Sequence, residues 1–175
     1  MVTAPETQTN LPTLATVWQW LAEVADPEIP VVSLVDLGII QDIAWVEGRL
    51  EVVVTPTYSG CPATTVISLD IGEKIREKGI DDYVIRQRLV PAWTTDWISD
   101  EGRRKLRAYG ITPPAEAADS CVGALRQTAA APVAICCPRC SSTDTECISR
   151  FGSTPCKAAY RCRDCLEPFD YFKPF

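Results

Sequence analysis

The sequence contains no histidine, and this absence excludes a wide range of enzymes and metal sites. Ser-His-Asp and Cys-His catalytic groups need an imidazole base. The HExxH zinc motif and the two-cysteine, two-histidine finger need imidazole ligands. A di-iron oxygenase centre built from Glu-x-x-His pairs is excluded for the same reason. Any metal that this chain binds with its own side chains must therefore be held by sulfur or oxygen.

The chain also has few positive charges and no long apolar segment. Its 17 lysines and arginines face 23 acidic residues, and the net charge of −6 argues against a nucleic-acid partner. Apolar runs of 18 or more residues are missing, so we expect no membrane span and no membrane partner. The first residues, MVTAPE, lack the basic and apolar regions of a signal peptide, and we therefore expect a cytoplasmic protein.

Cysteine, in contrast, is abundant: the chain has nine, and seven of them follow residue 135. In a reducing cytoplasm, clustered cysteines are more often metal ligands or reactive thiols than disulfides. The charge divides at the same place, since residues before the cluster carry a net −7 and the rest carry +1. We predict a disordered N-terminus (1–11), a first domain (12–110), an alanine- and proline-rich linker (111–135) and a C-terminal metal-binding domain (136–175).

The first domain alternates between helical and strand periodicities. Its third helix begins at a Ser-Asp-Glu signal and ends before Gly110, as helices often do. The predicted elements, in chain order, are helix 13–25, strands 38–46 and 49–55, helix 64–78, strand 83–90 and helix 99–109, with a short helix at 120–127 in the linker. This order predicts an α+β fold, with a small mixed sheet and helices on one of its faces.

Two CxxC pairs are the strongest chemical signal in the chain. Cys137 and Cys140 are followed, after 21 intervening residues, by Cys162 and Cys165. Two such loops can complete a tetrahedral thiolate shell around one ion. About forty residues bury too little apolar surface to fold confidently alone, so a structural metal is expected. We predict a four-cysteine zinc ribbon; a single iron, an iron–sulfur cluster and a redox dithiol pair stay open as alternatives.

The region between and after the CxxC pairs predicts a small strand domain. Strands are expected near 145–149 and 159–161, around an aromatic core made of Phe151, Tyr160, Phe169, Tyr171 and Phe172. Many ribbons have glycine after each CxxC, where φ is positive, but here Ser141 and Leu166 occupy those positions. Three cysteines are spare, namely Cys136, Cys147 and Cys156. Cys136 could compete with Cys137 as a ligand, but for Cys136 and Cys156 packing or a free thiol is favoured over ligation. Cys121 and Cys147 receive no role.

Cys61 is the chemical candidate of the first domain. It follows a strand and a glycine-bearing turn, and Pro62 suits the first position of a helix, so we expect Cys61 near a helix N-terminus. Free N–H groups and the helix dipole stabilise a thiolate there, as an iron or cluster ligand or a nucleophile. A buried thiol without chemistry is the alternative. Asp26 and Asp36 are either turn caps or carboxylates beside Cys61, acting as metal ligands or proton acceptors.

Longer motifs in both domains resemble a known family. DPEIPVVSLVDLGII (residues 26–40) and TPTYSGCP (residues 55–62) are similar to the iron–sulfur assembly domain shared by SufT-type proteins and eukaryotic cytosolic iron–sulfur targeting factors. FGSTPCKA (residues 151–158) and EPFDYFK (residues 167–173) resemble one branch alone, the PaaD family of bacterial phenylacetate degradation. The resemblance covers about residues 12–173.

The resemblance implies an accessory or maturation factor for the phenylacetyl-CoA ring-1,2-epoxidase, assisting iron–sulfur cluster assembly of its reductase component. It implies that Cys61 is the family's reactive cysteine, holding iron or a cluster transiently, and that Asp26 and Asp36 are its acidic signature positions. The implied partners are the epoxidase subunits, above all the iron–sulfur reductase, and general iron–sulfur assembly proteins; a homodimer is left open. The alternative is a stable non-catalytic or electron-relay subunit of the oxygenase.

Overall fold

The computed structural model describes residues 11–114 and 135–174, which form two small sheets with three helices. The elements are α1 (Leu14–Leu21), β1 (Ile40–Val46), β2 (Arg49–Val54), α2 (Thr64–Glu77), β3 (Tyr83–Gln87), a 3₁₀ turn (Thr95–Trp97), α3 (Asp100–Tyr109), β4 (Ile111–Thr112), β5 (Thr145–Ser149), β6 (Lys157–Cys162) and β7 (Pro168–Phe172). The first sheet has the order β1-β2-β3 and the second β4-β7-β6-β5. The predicted α+β fold with a C-terminal strand domain is confirmed.

The first sheet is mixed because its two connections differ in length. Glu47 and Gly48 join β1 to β2 with positive φ at both residues, 51° and 85°, which suits the tight turn of an antiparallel hairpin. The connection from β2 to β3 contains α2, and a crossover of that length makes the two strands parallel. On β2, Leu50, Val52 and Val54 are all buried, so this central strand supplies much of the core.

Helix α3 begins and ends where its sequence signals predict. The Ser99 hydroxyl accepts a hydrogen bond from the N–H of Gly102 at 2.9 Å, and Gly110 ends the helix with φ of 93°. These two residues satisfy backbone groups that a helix leaves unpaired at its ends. The strand that follows, β4, pairs in parallel with β7. Residues 111–112, which the composition assigns to a linker, therefore belong to the second sheet.

The last residue of β7 packs away from the ribbon, into the core of the first domain. Phe172 is 1% exposed, and its ring centroid lies 5.9 Å from that of Trp93. The prediction of Phe172 as part of the ribbon's own aromatic core is therefore wrong. Phe151, predicted in the same core, is 68% exposed. Tyr160 and Phe169 do stack there, at 5.9 Å.

Some predictions fall on residues outside the described part of the chain. These are the disorder expected over residues 1–10, the helix at 120–127 and any role of Cys121. The division into domains stays a prediction. Among residues 11–114 and 135–174, no helix has the length and apolar character that crossing a bilayer requires.

Candidate functional site

The four cysteines of the CxxC pairs converge on one point. Their sulfur atoms all lie within 4.8 Å of one another, with Sγ–Sγ distances of 3.7 Å for Cys137 and Cys165 and 3.5 Å for Cys140 and Cys162. A tetrahedral zinc with Zn–S bonds of about 2.3 Å separates its sulfurs by about 3.8 Å. The spacing of the thiols thus fits one tetrahedral metal ion, and the all-sulfur donor set suits a thiophilic one.

The two CxxC loops have the same backbone geometry. The N–H of Cys137 donates to the carbonyl of Ser142, and the N–H of Cys162 donates to the carbonyl of Glu167, both at 2.9 Å. The residue after each CxxC has positive φ, 62° at Ser141 and 63° at Leu166. The absence of glycine therefore leaves the loop geometry intact, because two ordinary residues adopt the left-handed conformation.

We predict that Leu166→Gly stabilises the metal-loaded ribbon by about 1 kcal/mol, because glycine adopts positive φ without steric strain on Cβ. Leu166 is 68% exposed, so little packing is lost with its side chain. Urea unfolding of the metal-loaded protein measures the change. Leu166→Ala is the matched control, since it shortens the side chain and keeps Cβ; an equal gain with alanine would contradict the conformational explanation.

Hydrogen bonds within the four-cysteine cluster give its thiols different pKa values. The N–H of Cys165 lies 3.5 Å from the Cys162 sulfur and is the main reason why the pKa of Cys162 falls to about 7. The N–H of Ser142 acts to lower the pKa of Cys140, but neighbouring thiols, Cys165 first, and burial raise it to about 12. Cys162 therefore ionises before Cys140. Cys136 is disulfide-bonded, so its sulfur is not a competing donor and the expectation of a free thiol there is wrong.

Cys61 lies in a different site, a cavity of about 120 Å³ between the first domain and the ribbon. Residues from both parts line it, among them Asp26, Leu37, Tyr58, Cys61, Thr154, Cys156 and Phe172. We call this the Cys61 cavity. Its walls are mostly apolar, so charged or polar groups inside it interact strongly with one another.

The helix that follows Cys61 begins at Thr64, as predicted. Its N-cap is Ala63, which offers no side-chain acceptor, and the Cys61 carbonyl accepts from the Thr64 N–H at 3.2 Å and from the Thr64 hydroxyl at 2.8 Å. The carbonyl of Cys61 therefore contacts the first turn of α2, and its thiol lines the cavity instead.

Tyr58 and Cys156 are the thiol's notable neighbours, and the sequence pattern predicts a functional role for neither. The Tyr58 hydroxyl hydrogen-bonds with the Cys61 thiol, and burial together with this cysteine raises the pKa of Tyr58 to about 12. The Cys156 sulfur lies 3.0 Å from the Thr154 hydroxyl. Burial raises the pKa of Cys156, and the charge of Cys61 acts in the same direction. One feature of the sequence could have indicated a separate role for Cys156, since this cysteine lies outside both CxxC pairs.

Asp26 both caps a turn and lines the cavity. Its Oδ1 accepts the N–H groups of Glu28 at 3.0 Å and Ile29 at 2.8 Å, while the residue is only 6% exposed. Burial raises the pKa of the Asp26 carboxyl despite these two hydrogen bonds. Asp26 can thus be a turn cap and a carboxylate near Cys61 at the same time.

Asp36 lies elsewhere, against α3, and does not line the Cys61 cavity. Its carboxylate accepts from the Ser33 N–H at 3.0 Å and from the Lys105 ammonium at 2.7 Å, and its carbonyl accepts the Ser99 N–H at 2.9 Å. Burial alone would raise the pKa of Asp36, but Lys105 and Ser33 outweigh it and hold the pKa below its ordinary value. This arrangement fits the capping interpretation of Asp36.

The two residues after Asp36, Leu37 and Gly38, pack tightly against the segment that contains Trp93 and Trp97. The Leu37 carbonyl accepts the Trp93 indole N–H at 2.9 Å. Gly38 has φ of 63°, and a Cβ there would lie 2.6 Å from the Trp97 carbonyl oxygen. Only glycine fits at position 38, because any Cβ would clash with the Trp97 backbone and because the positive φ strains other residues. The motif around Asp36 holds the turn, α3 and the Trp93 segment together.

Comparison with known families agrees with this two-part organisation. Residues 14–82 match the model of a family described as iron–sulfur cluster assembly protein, and residues 123–173 match the PaaD zinc beta ribbon domain. The first part of the chain therefore matches an iron–sulfur assembly family, and its last part matches a zinc ribbon family.

One relative spans nearly the whole chain. The D component of the "Putative 1,2-phenylacetyl-CoA epoxidase" of Escherichia coli (strain K12) is 44% identical over 162 residues, 93% of each chain. An "Fe-S protein maturation auxiliary factor" of Porphyromonas gingivalis is 35% identical over 88 residues, 49% of this chain and 83% of that one. The chain belongs to the PaaD family. A solved structure, a domain of unknown function DUF59 from Bacillus anthracis, aligns with a TM-score of 0.49 and 23% identity over 53% of this chain and 89% of its own.

Proposed function

We propose that the protein is an accessory factor that assists iron–sulfur cluster assembly in the reductase component of a phenylacetyl-CoA epoxidase. Cys61 is the residue that holds iron or a cluster transiently. The observation that carries this proposal is the Cys61 cavity, where a thiol and the buried carboxylate of Asp26 line one mostly apolar space outside the four-thiol cluster. The names of the two relatives, an epoxidase component and an iron–sulfur maturation factor, support the client and the activity.

In this proposal the ribbon's metal is structural. Zinc is held by Cys137, Cys140, Cys162 and Cys165, and a closed four-thiolate shell leaves no position for a substrate. The sulfur spacing of 3.5 and 3.7 Å supports a single ion of this kind. The ribbon then serves as a wall of the Cys61 cavity and as a docking surface for the client.

The chain is not proposed as the oxygenase itself. With no histidine, it cannot supply a Glu-x-x-His di-iron centre, so oxygen chemistry must take place in a partner. The proposed partners are the epoxidase subunits, most of all the reductase, and general iron–sulfur assembly proteins, acting in the cytoplasm. Self-association is left to a measurement of molecular mass in solution.

Cys61→Ser tests the proposal. We predict that this variant folds normally, since a hydroxyl replaces a thiol of similar size, but that reductase co-expressed with it loses most of its cluster and its electron-transfer activity. Iron and acid-labile sulfide per reductase chain are the readouts. Cys147→Ser is the matched control, because Cys147 is exposed on β5 and lies outside the Cys61 cavity. Fully loaded reductase from cells with Cys61→Ser would refute the assigned role.

Elemental analysis of anaerobically purified protein separates this role from that of an electron-relay subunit. The proposal predicts a colourless protein with one zinc per chain and little sulfide. Iron and sulfide in equal amounts, bound by the ribbon, would favour the relay.

A further inference from the structure

The ribbon brings a second thiol to the Cys61 cavity. Cys156 lies just before β6, in the loop that faces the first domain, and its side chain lines the same cavity as that of Cys61. We propose that Cys61 and Cys156 together form a two-thiolate site for a thiophilic divalent cation such as iron(II). The cargo site is then shared between the two domains, and this inference deepens the proposed function, on which it rests.

Several contacts hold Cys156 in place against the first domain. Its carbonyl accepts the Lys173 N–H at 3.0 Å, and the Thr154 carbonyl accepts the Lys157 N–H at 3.1 Å. Phe172, next to Lys173, is buried in the core of the first domain. The end of the loop that carries Cys156 is thus fixed to Lys173, whose neighbour Phe172 lies in the core of the first domain.

The electrostatics of the cavity favour a cation. Asp26 is buried at its wall, and Glu28, Tyr58 and the two thiols are the other ionisable groups of its lining. The nearby Lys157 ammonium acts on Asp26 and Cys156, but it is paired with Asp170 at 3.5 Å. Burial is the main cause that raises the pKa of both Cys156 and Tyr58 in this space. A divalent cation would balance the negative charge of Asp26 and of thiolate ligands in this mostly apolar space.

The few donors of the Cys61 cavity suit a metal ion that is bound transiently and then transferred to a client protein. Within residues 11–114 and 135–174, the only three or more cysteine or carboxylate donors that lie within 4.8 Å of one another are the ribbon's four thiols. In the proposed site two thiols of the cavity lining would bind the ion, and its further coordination positions would be left open. Open positions are what a metal needs if a client's ligands are to reach it, in contrast to the closed shell of a structural zinc.

Cobalt(II) is a suitable probe, because thiolate ligation gives it a strong charge-transfer band. The full-length protein, with its ribbon zinc in place, is titrated anaerobically while the zinc content is monitored. We expect one cobalt(II) per chain beyond the zinc. Cys61→Ser and Cys156→Ser should each halve the band and weaken binding roughly tenfold or more. Cys147→Ser should behave as the unaltered chain. A band and affinity unchanged by Cys156→Ser would overturn the proposal.

A second measurement needs no variant and so holds even if Cys156→Ser fails to fold. The unaltered protein is alkylated with iodoacetamide, with and without saturating cobalt(II), and each cysteine is quantified by peptide mass spectrometry. We expect the metal to protect Cys61 and Cys156 together and to leave Cys147 equally reactive. Protection of Cys61 alone would overturn the shared site.

The two proposals can fail separately. If Cys156→Ser binds cobalt(II) normally while Cys61→Ser still abolishes reductase loading, the shared site is wrong and the maturation role stands. If both variants lose cobalt(II) but the reductase is fully loaded in cells carrying either one, the site is supported and the maturation role is wrong.

Discussion

Removing the metal proposed for the ribbon is expected to unfold residues 135–174 and to leave the first sheet folded but less stable, because Phe172 leaves its core. Within the described residues, the ribbon's own buried cluster consists of Cys137, Cys162 and Phe169, and two of these are proposed ligands. Such a small core cannot offset the entropy of ordering some forty residues. Metal binding, worth about 10 kcal/mol or more in small zinc domains, would supply most of the ribbon's stability.

Hydrogen exchange with peptide mass spectrometry measures this effect. After chelation, peptides that cover β6 and β7 should exchange freely, while peptides from β2 should keep only part of their protection, because Phe172 leaves the core of the first domain with β7. Added zinc should restore both sets. Cys162→Ser should imitate chelation, whereas Cys147→Ser should keep both its metal and its protection, since Cys147 is exposed and outside the four-thiol cluster. Ribbon peptides that stay protected after complete loss of metal would contradict the prediction.

Features that depend on nearby residues are predictable from the sequence. Ser99 and Gly110 mark the ends of α3, because caps act within a few residues of the helix they limit. The four-cysteine cluster is predictable because each CxxC pair is local, and only the meeting of the two pairs depends on distant residues. Asp26 is likewise predictable as a turn residue, since the N–H groups that it accepts lie within three positions.

Features that depend on how distant segments pack are not predictable in this way. An aromatic residue at the end of a ribbon strand gives no indication of which of two cores it enters, and for Phe172 the prediction chooses the wrong one. The pairing of β4 with β7 joins a two-residue strand to the far end of the chain, and no periodicity is detectable over two residues. Cys156 meets Cys61 in one cavity only because Phe172 and β4 attach the ribbon to the first domain.

Phe172→Ala is therefore expected to destabilise the first domain although residue 172 belongs to the ribbon sheet. Phe172 is 1% exposed and packs against Trp93, whose indole N–H is held by the Leu37 carbonyl at 2.9 Å. Removing a buried phenylalanine ring typically costs about 3–5 kcal/mol, from lost apolar burial and from the void left behind. Because Phe172 also lines the Cys61 cavity, the same change should enlarge that cavity and loosen the position of Cys156.

Urea unfolding of the metal-loaded protein gives the magnitude of this change, and hydrogen exchange locates it. Peptides from β2 and from the Trp93 segment should lose protection in Phe172→Ala. Phe151→Ala is the matched control: Phe151 is 68% exposed, so its loss should change the free energy of unfolding by no more than about 0.5 kcal/mol. A cost for Phe172→Ala as small as that of Phe151→Ala would mean that the ribbon is only tethered to the first domain. The thiols of Cys61 and Cys156 would then lack the fixed relation that a shared metal site requires.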